Sequence, residues 1–144
     1  MPSVFYAHLT WTTLRRAPLI DAPVAVFLRR FLPPQARRFG AQVLEIGILR
    51  DHVHPLLHMA PACPVSQLVQ ALKGASARIA NRDGTAPADR PLRWDRGYDL
   101  RSVSPQALAA AANYVRRQAE HHPLDRVGEV TKGAGPAMVG AVEP

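Results

Sequence analysis

Two histidines separated by one residue, His52 and His54, stand in the run Leu49-Arg50-Asp51-His52-Val53-His54-Pro55-Leu56-Leu57. The apolar surroundings are those of a buried strand, on which side chains alternate between two faces. His52 and His54 therefore point the same way, and Val53 points into the core. Two imidazoles on one face can hold one divalent metal ion, although such pairs also occur as ordinary strand histidines. A second stretch, Asn113-Tyr114-Val115-Arg116-Arg117-Gln118, lies late in a long helical pattern. Tyr114 and Gln118 are four apart, so a helix puts them on one face, next to an apolar stripe of Leu108, Ala112, Val115 and Ala119. With a histidine pair nearby, the Gln118 carbonyl can be a third metal ligand and Tyr114 a nucleophile toward phosphorus. A phenol with a pKa near ~10 attacks poorly at neutral pH unless something stabilises its anion. A divalent ion polarising the phosphate lowers that demand. The plainer reading is a partly buried tyrosine beside a solvated glutamine.

The elements that must position these residues follow from the chain in order. Val4 to Thr13, with Phe5, Tyr6, Leu9, Trp11 and threonines, is a strand containing His8, which could approach the site or make an ordinary hydrogen bond. Arg15-Arg16-Ala17-Pro18 ends it in a basic turn. Asp21-Ala22-Pro23 caps a helix whose apolar stripe is Val24, Phe27, Leu28 and Phe31, and which Pro33-Pro34 should stop or kink. Gln42 to Leu49 is a second strand with Gly47 as a possible bulge, and Arg50-Asp51 connects it tightly to a third, His52 to Met59. Pro55 cannot donate to a ladder and points to an edge position or a bulge. Val65 to Arg82 is a second helix with Leu68, Leu72, Ala75 and Ile79 on one face. Leu92 to Val103, turning at Asp95-Arg96-Gly97, is a fourth strand. Ser104-Pro105 opens a third helix that runs through Tyr114 to about His121. This order is α+β and ferredoxin-like (RRM-like): an antiparallel sheet with helices on one face, plus a C-terminal helix carrying the tyrosine. The two middle strands are expected side by side at the centre of the sheet.

Composition bounds the function. The chain has 144 residues, of which 47% are hydrophobic, and 18 Lys+Arg against 11 Asp+Glu give a net charge of +7. That is one domain with a real core, expected over residues 1–122, followed by a loosely ordered Gly- and Ala-rich tail over 123–144. The basic balance favours a polyanionic partner, nucleic acid above all. Arg15, Arg16, Lys73, Arg78, Arg116 and Arg117 are the candidate phosphate contacts. Cys63 is the one cysteine, which excludes an internal disulfide and a cysteine-based zinc site. No apolar run approaches the ~20 residues of a membrane span and no signal peptide is visible, so a cytoplasmic protein is expected.

Five segments, taken together and in order, resemble a known family. They are Tyr6-Ala7-His8-Leu9-Thr10-Trp11-Thr12-Thr13; Asp51-His52-Val53-His54; Leu68-Val69-Gln70-Ala71-Leu72-Lys73-Gly74; Arg96-Gly97-Tyr98 with Ser102-Val103-Ser104; and Tyr114-Val115-Arg116-Arg117-Gln118 with His121-His122. The chain is similar to the single-tyrosine insertion-sequence transposases of the HUH class and their REP-associated relatives. The resemblance implies a domain that nicks and rejoins single-stranded DNA, often with hairpin ends, using Mg²⁺ or Mn²⁺. His52 and His54 would match the metal-binding pair, Gln118 the third ligand, and Tyr114 the nucleophile that forms a 5′-phosphotyrosine link and releases a 3′-hydroxyl. Many members are homodimers whose active site is completed in trans. The sequence departs from the family at Pro55, at Asp99 and at Pro33-Pro34, none of which removes a catalytic group. A second reading is a non-catalytic module binding single-stranded nucleic acid on the same fold, with Trp94 and Tyr98 stacking on bases.

Overall fold

The computed structural model describes residues 5–118. Four strands, β1 (Phe5–Thr12), β2 (Ala41–Ile48), β3 (His52–Met59) and β4 (Asp99–Val103), form one sheet in the order β2-β3-β1-β4. Every neighbouring pair is antiparallel. Three helices join them: α1 (Ala22–Arg37), α2 (Val65–Arg82) and α3 (Leu108–Arg116). This is the α+β arrangement expected, with one correction. β2 and β3 are neighbours, but β2 lies at an edge and the central pair is β3 and β1. Those two carry the most apolar inward faces, Ala7, Leu9 and Trp11 on β1 and Val53, Leu57 and Met59 on β3.

The sheet has two unlike faces. Odd-numbered residues of β1 and β3 join Val24, Leu28, Leu32 and Ala36 of α1 and Leu68, Val69 and Leu72 of α2 in the main core. Even-numbered residues of β3, His52, His54, Leu56 and His58, face the other way. Leu56 and His54 are nevertheless almost fully buried. The element that packs on β2 and β3 there is α3, through Val115. Arg116 at the end of α3 fastens it with an ion pair to Glu45 of β2, Nη1 to Oε2 2.6 Å. Helices thus lie on both faces, α1 and α2 on one and the tyrosine-bearing α3 on the other.

Several local expectations are revised. α1 begins as expected, with Asp21 Oδ1 accepting from Val24 N at 3.1 Å, but Pro33 and Pro34 do not stop it: it continues to Arg37. The prolines cannot donate to the carbonyls of Arg29 and Arg30, but both residues are exposed, where water can reach them. Meanwhile Leu28, Leu32 and Ala36 continue the buried stripe across the prolines. Pro55 sits in a central strand and not at an edge. The β1–β3 ladder is interrupted at His54 and Pro55 and resumes in the same register, His8 with Leu56 and Trp11 with Val53. The bulge of β2 falls between Val43 and Glu45, not at Gly47. On α2 the buried residues after Leu72 are Ser76 and Ala80, while Ala75 and Ile79 are only partly covered. Ser76 tolerates burial because its hydroxyl donates to Lys73 O and accepts from Trp94 Nε1, each at 3.1 Å. The fourth strand is shorter than expected: only Asp99–Val103 pairs with β1, and Trp94 makes an isolated bridge to Thr13. Ser104 caps a 3-10 turn, Pro105–Ala107, before α3 starts at Leu108. The expected helical continuation to His121 and the tail from 123 to 144 lie outside the described residues.

Candidate active site

His52 and His54 stand together on the α3 side of β3, their rings nearly parallel with centroids 5.4 Å apart. Val53 between them is fully buried in the main core, as the alternation of a strand requires. Each ring is held at Nδ1 from behind. His52 Nδ1 donates to Asp51 Oδ1 at 2.8 Å, and the other carboxylate oxygen receives Arg16 Nε at 3.2 Å. His54 Nδ1 lies 3.0 Å from His8 Nε2. With Nδ1 occupied in both rings, Nε2 is the nitrogen each would present to a metal ion. Burial holds the His8 imidazole below its ordinary pKa; Arg101 and His52 push the same way and Asp99 opposes them.

Room for His54 comes from Gly47, its cross-strand partner on β2. A Cβ on Gly47 would stand 2.6 Å from His54 Cε1, inside the ring's contact radius. Gly47 is therefore a space-making residue, opposite a histidine in the register.

Gln118 lies two residues beyond α3 and is only 5% exposed. Its Oε1 is buried and accepts no hydrogen bond among the described residues. A buried amide oxygen without a donor is costly, and a cation is one partner that would satisfy it. Two imidazoles and one amide oxygen are a donor set that suits a divalent ion of intermediate hardness. Among the described residues no group of three or more His, Cys, Asp or Glu side chains could hold a metal. The fit therefore depends on the glutamine.

Tyr114 is on α3 and 45% exposed. Four residues on, Gln118 is buried where Tyr114 is half-exposed. Arg117 between them is distorted, with φ −98° and ψ 10°, although its N–H still donates to Asn113 O at 3.0 Å and Gln118 is helical again.

The six candidate phosphate contacts separate into two groups. Arg15, Arg78 and Arg117 are exposed. Arg16 is tied to Asp51 and Arg116 to Glu45, both with the guanidinium about half exposed. Arg15 and Arg16 also adopt left-handed backbone, φ 53° and 56°, which aims this basic turn back toward Asp51. Lys73 does not fit its expected role. Its Nζ donates to Asp95 O at 2.7 Å and Gly97 O at 2.8 Å, and burial lowers its pKa against the pull of Asp95. It closes the loop before β4. Lys73→Met, which keeps the alkyl stem, should cost about 1–3 kcal/mol of stability in a urea titration while leaving nucleic-acid affinity almost unchanged. An affinity loss without a stability loss would return Lys73 to the phosphate contacts. Trp94 is similarly engaged, edge-on to Trp11 at 5.7 Å with its indole N–H on Ser76, and is no stacking platform. Tyr98 is 42% exposed.

Sequence reasoning did not find the roles of Asp51 and Gly47. An acidic residue next to a histidine, and a glycine facing a histidine across an antiparallel ladder, are the signals that could have.

Among the described residues no helix is long and apolar enough to cross a membrane. Residues 3–118 match the family described as "Transposase IS200 like". The chain is 31% identical over 114 residues to the ISDra2 transposase TnpA of Deinococcus radiodurans, covering 77% of this chain and 81% of that one. A crystal structure of a Deinococcus radiodurans R1 protein assigned as a transposase superposes with a TM-score of 0.62 at 28% identity, over 81% of this chain and 92% of the other. A REP-associated tyrosine transposase bound to a REP hairpin shares the fold at 13% identity, with a TM-score of 0.63 over 94% and 93% of the two chains. With a family match that runs through the histidine pair, the tyrosine and the glutamine, this chain belongs to the IS200-like transposases.

Proposed function

We propose that the protein is a metal-dependent transposase that cleaves and rejoins single-stranded DNA through a 5′-phosphotyrosine intermediate, with Tyr114 as nucleophile and His52, His54 and Gln118 as metal ligands. The observation that carries this reading is the buried Oε1 of Gln118, which accepts no hydrogen bond among the described residues, in a chain whose α3 packs on the histidine-bearing strand. The ion is Mg²⁺ or Mn²⁺; when bound it acts as a Lewis acid on a phosphate oxygen. Asp51 and His8 engage Nδ1 of the two histidines, which would leave Nε2 as the nitrogen available to an ion. Tyr114 Oη forms its bond to phosphorus as the P–O3′ bond breaks. The phenol proton passes to water at the half-exposed ring, and the departing 3′ oxygen takes up a proton. A 3′-hydroxyl attacking the phosphotyrosine reverses these changes, so strands are exchanged without an external energy source.

The substrate is single-stranded DNA, and the hairpin held by the REP-associated relative supports hairpin ends as the recognised form. Arg116 pairs with Glu45 within one chain, and a homodimer that shares tyrosines in trans would form the same pair across its subunits.

The test is a covalent adduct. Incubated with Mn²⁺ and a single strand carrying the end of its own element, the full chain should yield a protein–DNA species that survives a denaturing gel and maps to Tyr114. No adduct with that strand and either metal would favour the non-catalytic binding module. Affinity for the same strand should also fall steeply with salt, because each phosphate neutralised releases condensed counterion, with a log–log slope of about −0.7 per contact. For the exposed Arg15, Arg78 and Arg117 together that is a slope near −2. Binding that is indifferent to salt would remove the arginines from the interface.

A further inference from the structure

We propose that His8 is a positioning residue of the metal site: its Nε2 accepts the Nδ1 proton of His54 and fixes His54 in the tautomer that ligates through Nε2. The inference rests on the metal-dependent reading above. A histidine that binds a metal through Nε2 carries its proton on Nδ1 and needs an acceptor there, and loss of that acceptor weakens the ligand. His52 has a carboxylate, Asp51, in this position. For His54, two residues further along the strand and 2% exposed, Nδ1 lies 3.0 Å from His8 Nε2.

His8 projects from β1, whose register sets it opposite Leu56 and diagonal to His54. The two rings meet at 70°, so the contact is a nitrogen-to-nitrogen hydrogen bond and not a stack. On the other side of His54, Nε2 is the ring atom nearest the position a Cβ of Gly47 would take, so the space this glycine leaves open lies at the ligating nitrogen. Gly47 thereby leaves room at Nε2 of His54, and His8 engages its Nδ1. To accept at Nε2, His8 carries its own proton on Nδ1. The two ligands are consequently unlike. His52 is backed by a carboxylate and His54 by an imidazole, each of which fixes its partner's ring orientation.

Two readouts on the full-length chain test this. The first is the tautomer of the His54 ring, read from its ¹⁵N shifts without metal. The second is Mn²⁺ affinity, read from the electron-spin signal of free Mn²⁺. The wild-type ring should be protonated on Nδ1. His8→Leu should lose that preference and bind Mn²⁺ about 10–100-fold more weakly. His8→Gln should restore both, since its amide oxygen reaches the place of Nε2 and can accept. Urea midpoints distinguish these effects from a general loss of fold. An Nε2-protonated ring in the wild type, unchanged tautomer and affinity in His8→Leu, or a Gln variant as weak as the Leu variant would each overturn the proposal. Absence of Mn²⁺ binding by the wild-type chain would overturn the metal reading instead, and the tautomer spectra would then decide the His8 contact alone.

Discussion

Tyr114→Phe is expected to abolish the covalent protein–DNA adduct while leaving single-strand affinity within about 0.5 kcal/mol of wild type. The substitution removes one oxygen from a half-exposed ring and leaves the packing of α3 to Val115, which is buried beside it. A lost nucleophile that nothing replaces should cost roughly 10,000-fold or more in rate. His52→Ala should abolish the adduct by another route. It removes one candidate ligand, and Asp51 keeps its ion pair with Arg16, so no buried charge is stranded. The two variants part on metal binding: Tyr114→Phe should hold Mn²⁺ as the wild type does, and His52→Ala should not. Denaturing gels for the adduct and calorimetry for the ion separate them. An adduct persisting in Tyr114→Phe would place the nucleophile elsewhere, with Tyr6 and Tyr98 the remaining tyrosines.

The frame of the molecule could be read from period and punctuation. Asp21 with Pro23, the alternation through His52-Val53-His54, and Ser104 with Pro105 gave starts and faces that the structure keeps. The two proline failures share one physical cause, that tertiary contacts outweigh local preference. Pro33-Pro34 reads as a helix stop because two donors vanish, but burial of Leu28, Leu32 and Ala36 along one ridge outweighs that loss. Pro55 reads as an edge residue, yet a central strand accommodates it by leaving one gap in one ladder. The β2 bulge was visible in principle: inward residues run Ala41, Val43, then Ile46 and Ile48, a slip of one residue that only a bulge near Leu44 allows. Reliance on glycine as the bulge marker pointed to Gly47 instead.

The candidate site was legible as residue types and not as an arrangement. His52, His54, Tyr114 and Gln118 could be named from spacing. That the helical turn is distorted at Arg117, between tyrosine and glutamine, could not, since an Arg-Arg-Gln run is compatible with regular helix throughout. Nor does a basic side chain announce its partner. Arg16, Lys73 and Arg116 read alike as phosphate contacts, and the fold gives them to Asp51, to two carbonyls and to Glu45. Net charge describes the whole surface, whereas each pairing depends on which strands become neighbours.

The register also sets the second large effect, at Gly47. Its backbone is not left-handed, so alanine is conformationally allowed there, and the consequence of Gly47→Ala is purely steric. The new methyl would overlap the His54 ring, and the ring cannot retreat because His8 stands behind Nδ1. Either the strands separate or His54 leaves its rotamer, at a cost of about 1–3 kcal/mol typical of overpacking. A displaced ligand should weaken Mn²⁺ binding by at least the ~100-fold that loss of an outer partner can reach, and the adduct should disappear with it. Gly74→Ala is the matched control. A Cβ there meets nothing within 4 Å, and it lies inside α2, so stability should rise by about 1 kcal/mol. Mn²⁺ affinity and adduct yield should not change in that variant. Calorimetric titration of the two alanine variants, alongside their urea midpoints, decides the matter. If Gly47→Ala bound Mn²⁺ like the wild type, the ion would not depend on His54 in its present place, and the ligand set would have to be redrawn around His52 and Gln118.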